Sequence, residues 1–184
     1  NLKDHFEEDQ IGHMTCLGRC HENTAFNIDG KNYSGSAIQE IKNIINSSTD
    51  FNQDSYRVKA SGKKILTKAF TTIAEYYQPF KDAIKKKSSE VLEEIKTSNV
   101  RGRGGAGFPM GMKLEFCRNV ENKTKFIICN ADEGDPGAYS DRYLLEQQPH
   151  SVLFGMLIAG YVTHASYGIL YIRAEYPEAV EIVQ

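Results

Sequence analysis

No apolar stretch of this 184-residue chain runs far enough to cross a bilayer as a helix. A spanning helix needs about 20 mostly apolar residues, and the longest apolar stretch, Val152 to Val162, is too short. Nor is there an excess of either charge. The 22 Lys and Arg against 24 Asp and Glu leave a net −2, which argues against a generic nucleic-acid surface. The opening residues, Asn1 to Asp9, lack the basic and apolar regions of a secretion signal, so the expected location is the cytoplasm. Cysteine is scarce. Cys16, Cys20, Cys117 and Cys129 are too few and too irregular for a secreted disulfide scaffold, which leaves reduced thiols or metal ligands. Repeats and low-complexity segments are also missing. What is present is 40% hydrophobic and 25% charged residues, sufficient for a core in one or two domains.

The most informative stretch is Arg101-Gly102-Arg103-Gly104-Gly105-Ala106-Gly107-Phe108-Pro109-Met110-Gly111-Met112-Lys113. Its five glycines leave backbone N–H groups unshielded beside two arginines and a lysine, where a phosphate or a flat anionic ring can approach. The spacing fits neither the dinucleotide G-x-G-x-x-G fingerprint nor the P-loop ending in Lys-Ser/Thr. A second stretch accompanies it. Phe126-Ile127-Ile128-Cys129 reads as a short buried strand, and Asn130-Ala131-Asp132-Glu133-Gly134-Asp135-Pro136-Gly137 cannot continue it and forms a polar loop.

The rest of the chain alternates element types. Ala25 to Ile28 and Lys31 to Tyr33 flank Asp29-Gly30, a hairpin signal. Ser36 to Gln39 is a capping box before a helix with Ile38, Ile41, Ile44 and Ile45 on one face. Asn46 to Asp54 is polar and reads as linker, followed by a short strand around Ile65-Leu66. Lys85-Lys86-Lys87 reads as a solvated helix end, and Ser88 or Ser89 caps a helix carrying Val91, Leu92 and Ile95 that exits at Asn99. A helix beginning at Met112 to Phe116 would point its N-terminus at a bound anion. Tyr143 to Leu145 and Val152 to Tyr161 read as helix broken near Pro149, Tyr167 to Ile172 as a buried strand, and Pro177 as the start of another helix. This order implies a parallel α/β fold.

Cys16-Leu17-Gly18-Arg19-Cys20 places two thiols in a glycine turn, half of a four-ligand metal site. His13 and His21 flank it and read more simply as surface imidazoles than as zinc ligands.

The pairing of the Arg101–Lys113 run with Cys129-Asn130-Ala131-Asp132-Glu133-Gly134-Asp135-Pro136-Gly137 and Asp141-Arg142 closely resembles the flavin-binding, NADH-oxidising subunit of respiratory complex I. With Gly134-Asp135, Ala138-Tyr139 and Pro149 to Leu153 it looks most like the diaphorase subunit of NAD(P)-reducing hydrogenases, from about Ile65 to the end. The resemblance puts Gly102, Arg103, Gly104 and Lys113 on the flavin-mononucleotide (FMN) side, and Asn130, Asp132 and Glu133 at the flavin ring and nicotinamide edge. Phe108 and Phe116 match aromatic positions that sandwich the adenine of NADH, Asp135 stands where Glu is frequent, and Glu133 is the one residue given a catalytic part. Met110 and Leu114 stand where the family usually has Thr and Trp. The wording of Cys16 to Cys20 resembles the second cysteine pair of the thioredoxin-like [2Fe–2S] domain that accompanies this subunit.

The resemblance implies an α/β chain with the end of a thioredoxin-like module at 1–48, a linker at 49–64, and the first part of an FMN- and NADH-binding domain at 65–184. The expected function is part of an FMN-dependent NAD(P)H:acceptor oxidoreductase that passes electrons to iron–sulfur clusters of a hydrogenase or complex I-like assembly. A [2Fe–2S] cluster would need ligands outside this chain besides Cys16 and Cys20, and the [4Fe–4S] centre is expected beyond Gln184. Two rivals stand beside this reading: a non-catalytic scaffold docking other redox subunits, and an RNA-binding module suggested by Arg-Gly-Arg-Gly-Gly. The second fits poorly, because such boxes repeat within disorder.

Overall fold

The computed structural model describes residues 2–14, 16–20, 22, 24–46, 59, 61–135 and 137–184. The expected linker falls largely outside them, as does His21. The chain forms two compact units: Asn1–Lys63 with Ala131–Gln147 and Ile172–Gln184, and Lys64–Asn130 with Gln148–Tyr171.

In the first unit the hairpin of β1 (Ala25–Ile28) and β2 (Lys31–Ser34) pairs antiparallel with Ala25 opposite Ser34 and Phe26 opposite Tyr33. Asp29 and Gly30 both have positive φ, 50° and 81°, the type I′ geometry that the Asp-Gly dipeptide favours. Phe26 and Tyr33 stack at 5.4 Å and, with Ile44, form a small core. The helix after the hairpin differs from expectation. Ser34, not Ser36, caps a 3₁₀ turn at Gly35–Glu40, and only α1 (Ile41–Asn46) is α-helical. Ile41 and Ile44 are buried while Ile45 is exposed, because six residues present only one narrow apolar face. This unit also contains α6 (Ser140–Gln147) and α8 (Pro177–Val183), which pack together around Leu145 and Ala179.

The second unit is helical around α4 (Ser88–Thr97), α5 (Met110–Asn119) and α7 (Pro149–Thr163), preceded by α2 (Ile73–Tyr76) and α3 (Gln78–Ala83). Val91, Leu92, Leu114 and Val162 make its core. Pro149 opens α7 in its first turn, as the break in the sequence pattern predicts. Ile65 and Leu66 lie in a bend and turn and are exposed instead of forming a strand, since no strand among the described residues pairs with them.

Strand β3 (Phe126–Ala131) pairs with β4 (Tyr167–Ile172), the helices α6 and α7 forming the crossover. The pairing is parallel: Ser166 N donates to Lys125 O at one end and Arg173 N to Ala131 O at the other. Neither strand is buried as its apolar run predicts, with Ile128 61% exposed and Tyr171 56% exposed. Helix α7 approaches one face, near Ile127 and Gly168, and the opposite face with Ile128 is left open.

Candidate functional site

The glycine run forms a closed loop. Asn99 leaves α4 at φ 53°, and Arg101 then pairs with Pro109 in an antiparallel bridge. Gly102 N donates to Phe108 O at 3.0 Å, Met110 N to Val100 O at 2.8 Å, and Arg101 Nη1 to Gly107 O at 2.9 Å. These bonds fix the stem and leave 103–106 projecting. The N–H groups of Arg103, Gly104, Gly105 and Ala106 find no acceptor among the described residues. A side-chain carbon added at Gly104 or Gly105 would meet nothing within 4 Å, and Gly107 turns the loop back at φ +65°. The result is an exposed row of donors with room for a ligand atom against the backbone.

The stem leads directly into α5, which begins at Met110, two residues before the expected start, with Pro109 as a cap that has no side-chain acceptor. Its first-turn N–H groups add partial positive charge next to the loop in sequence. Arg103 and Lys113 are exposed and make no ion pair among the described residues. Two cations, a donor row and an uncapped helix start are groups whose chemistry suits an anion. Phe108 and Phe116, 48% and 56% exposed, are brought together with centroids 6.2 Å apart and a tilt of 47°. The tilt leaves no parallel slot between the rings, so a base would stack on one outer face. Asn130 is exposed, one residue before the end of β3.

A separate hollow of about 660 Å³ is lined by Ile127, Leu153, Met156, Leu157 and Leu170 among others. Its lining is mostly apolar and carries no Lys or Arg among the described residues, with His164 and Ser166 as polar members.

In the first unit, Asp132 and Asp135 are exposed and Glu133 is half-buried. Glu133 has a defined task. Its Oε1 accepts from Ser140 N at 2.9 Å and from the Ser140 hydroxyl at 2.7 Å, and its Oε2 accepts from Asp141 N at 3.0 Å and from the Tyr176 hydroxyl at 3.3 Å. The four acceptor positions of the carboxylate are thereby filled, and the charge sits at the N-terminus of α6. The main-chain oxygen of Glu133 accepts from Arg173 Nη1. Burial, and then the Glu133 charge, push the Asp141 carboxyl above its usual range, while burial and the same charge push the Tyr176 hydroxyl up to about 12.

Cys16 and Cys20 are free thiols, half-buried and exposed respectively, and Gly18 N lies 3.3 Å from Cys16 Sγ. No group of three or more His, Cys, Asp or Glu among the described residues is placed to hold a metal ion. Sequence reasoning missed Arg173 and Tyr176, which fall between β4 and α8. The signal available was position: polar and aromatic residues just past the C-terminal end of a parallel strand are where α/β folds gather their sites.

Residues 95–184 match the family model of the Nuo51 FMN-binding domain. The chain is 46% identical over 91 residues to an NADH-quinone oxidoreductase subunit of Rhizobium meliloti, covering 50% of this chain and 22% of that protein. It is 50% identical over 90 residues to the NAD-reducing hydrogenase HoxS subunit alpha of Cupriavidus necator, covering 49% of this chain and 15% of that protein. The chain thus spans under a quarter of these relatives. Its fold is similar to that of an NAD+-reducing [NiFe]-hydrogenase crystal structure in the H2-reduced state, with TM-score 0.67 and 30% identity, covering 91% of this chain and 31% of that one. The loop, the strand and the acidic turn all lie inside residues 95–184, the segment that matches the Nuo51 FMN-binding domain model.

Proposed function

We propose that this chain carries the FMN cradle of an NAD(P)H:acceptor oxidoreductase that works within a hydrogenase or complex I-like assembly in the cytoplasm. The observation that carries the reading is the 103–106 row of unpaired backbone N–H groups, open at Gly104 and Gly105 and beside Arg103 and Lys113. The residues fit the group: a phosphate dianion needs several donors and compensating charge, and the loop supplies both. Gly102, Arg103, Gly104 and Lys113 take the phosphate end. Asn130 faces the ring system, because an amide both donates and accepts as the flavin carbonyl and imide groups require. Asp132 and Asp135 are assigned to ribose or carboxamide donors of the nicotinamide nucleotide, and Phe108 or Phe116 to its adenine.

FMN, when bound, supplies hydride acceptance and single-electron delivery. The chain's own residues hold and orient, and none is needed as a nucleophile. Glu133 contributes by shaping the acidic loop: a carboxylate whose acceptor positions are filled ties its own position in the loop to the start of α6. Residues 1–48 are read as the end of a thioredoxin-like module, and Cys16 with Cys20 as two ligands of a [2Fe–2S] cluster completed from outside this chain. The [4Fe–4S] centre and the electron acceptor belong to the remainder of the assembly. Titration of FMN into the full-length protein, followed by quenching of flavin fluorescence, tests the reading: saturable quenching that weakens on Arg103→Ala or Lys113→Ala supports it, and absence of quenching overturns it.

A further inference from the structure

In the first unit, the Cys16–Cys20 turn is seated against the segment between β4 and α8. Gly18 has φ +68°, and a carbon added to it would lie 2.6 Å from Cε1 and 2.7 Å from Cδ1 of Tyr176, and 2.7 Å from Glu175 O. Only glycine allows this approach. Two buried polar side chains hold the turn there. Asn32, 2% exposed, donates through Nδ2 to Leu17 O at 3.1 Å and to Glu175 O at 3.2 Å, so one amide ties both segments. Arg142, fully buried, donates to Gly18 O at 2.9 Å and pairs with Glu146 at 2.7 Å and Glu178 at 3.3 Å.

The ring of Tyr176 is enclosed by these groups. The guanidinium carbons of Arg142 and Arg173 stand 5.6 and 5.9 Å from its centroid, and no part of the residue reaches solvent. Its hydroxyl is left with one direction, toward Glu133 Oε2 at 3.3 Å. Arg173, three residues earlier, donates its backbone N–H to Ala131 O and its guanidinium to Glu133 O. The 173–176 segment therefore brackets the acidic loop through main chain and side chain together. Burying Asn32 and Arg142 is costly unless their bonds are made, and those bonds converge on the turn and on its seat against Tyr176.

We propose that Tyr176 is a positioning residue for the acidic loop and that the Cys16–Cys20 turn sets Tyr176, so that the N-terminal segment fixes the geometry of that loop through Gly18, Tyr176 and Glu133. The link to the nicotinamide nucleotide rests on the function proposed above; the positioning part does not. A ligand change or strain at Cys16 or Cys20 is then transmitted to Glu133 across a single packed ring.

The test uses full-length protein carrying Gly18→Ala or Tyr176→Phe. Amide hydrogen exchange at Ser140 and Asp141, whose N–H groups are held by Glu133, reads the positioning without any nucleotide. Calorimetric titration with NAD+ reads the consequence. Both variants should speed exchange at 140 and 141 and weaken NAD+ binding by about fivefold, the value of one net hydrogen bond. Tyr176→Phe keeps the ring and is informative even where Gly18→Ala does not fold. Parental exchange at both amides in Tyr176→Phe overturns the positioning. Faster exchange with unchanged NAD+ affinity overturns its link to the nucleotide. A parent that binds no NAD+ overturns the assignment of Asp132 and Asp135 in the proposed function, and with it the nucleotide link, while the exchange measurement still decides the positioning.

Discussion

Gly111 stands so close to Lys96 that a carbon added to it would lie 2.5 Å from Lys96 Cγ and 2.8 Å from Lys96 Cα. The glycine in the first turn of α5 thus belongs to helix packing and not to the anion loop. The Lys96 side chain is drawn across the contact by ion pairs of 2.9 Å to Glu93 and Glu115. Gly111→Ala should force α4 and α5 apart at a cost of about 1–3 kcal/mol, the usual range for overpacking. Urea unfolding of parent and variant measures it, and Gly104→Ala, with nothing within 4 Å, should change stability little by comparison.

Lys113→Ala should leave stability near the parent value, because the side chain is exposed and makes no ion pair among the described residues. Its effect falls on the ligand. Loss of one charge-assisted contact should weaken FMN binding by roughly tenfold or more. The loss should shrink as salt rises, since an exposed cation is screened. Flavin titrations at low and high salt check both statements.

The legibility of this chain followed local chemistry. Asp29-Gly30, Asn99 and Pro149 announced their turns because each backbone conformation is favoured by its own residue type, and the structure has them as read. Strand existence at 126–131 and 167–172 was equally readable, but burial was not. An apolar run states what a strand could bury, whereas Ile128 and Tyr171 are exposed because burial depends on what lies opposite. At the site, the donor loop was visible as glycines. The saturation of Glu133 was not, since its partners Ser140, Asp141 and Tyr176 lie 7, 8 and 43 residues away. Long-range polar contacts leave no periodicity to read.

The Tyr176 hydroxyl makes stability depend on alkaline pH. It ionises at about 12 in the fold against an ordinary value of 10.0, so as pH rises the unfolded chain releases its proton first. Stability is therefore fully present below pH 10 and is lost from there up through about 12, by at most roughly 2–3 kcal/mol for two units of difference. Tyr176→Phe has no proton to lose. Its thermal midpoint should start lower at pH 8, through loss of the bond to Glu133, and fall less steeply than the parent's above pH 10.

Cys16 and Cys20 alone should not assemble a [2Fe–2S] cluster, because such clusters take four protein ligands and no third His, Cys, Asp or Glu ligand is grouped with them among the described residues. Reconstitution of this chain with iron and sulfide should give no paramagnetic resonance signal on reduction. A signal from the monomer that disappears in Cys16→Ser would refute this.

Glu133→Gln separates the charge of this residue from its shape. The amide keeps one acceptor oxygen and turns its NH2 toward a donor, either at Ser140 or at Asp141, so one side of the α6 start loses its acceptor and a charge is removed from the helix N-terminus. The expected loss of stability is about 1–2 kcal/mol, that of a helix cap. The Asp141 carboxyl supplies a second reading. Burial holds it high and the Glu133 charge raises it further, so removing that charge should lower it part of the way while the burial component persists. Carbon-detected titration of Asp141 by nuclear magnetic resonance measures the step. In the flavin-loaded full-length protein the loosened loop should also slow NADH reduction of the flavin, and stopped-flow bleaching follows that rate. Asn130→Ala should weaken FMN binding without moving the Asp141 titration, because Glu133 keeps its own partners. Were Asn130→Ala to shift Asp141 as far as Glu133→Gln does, the separation of ring contact from loop positioning would fail.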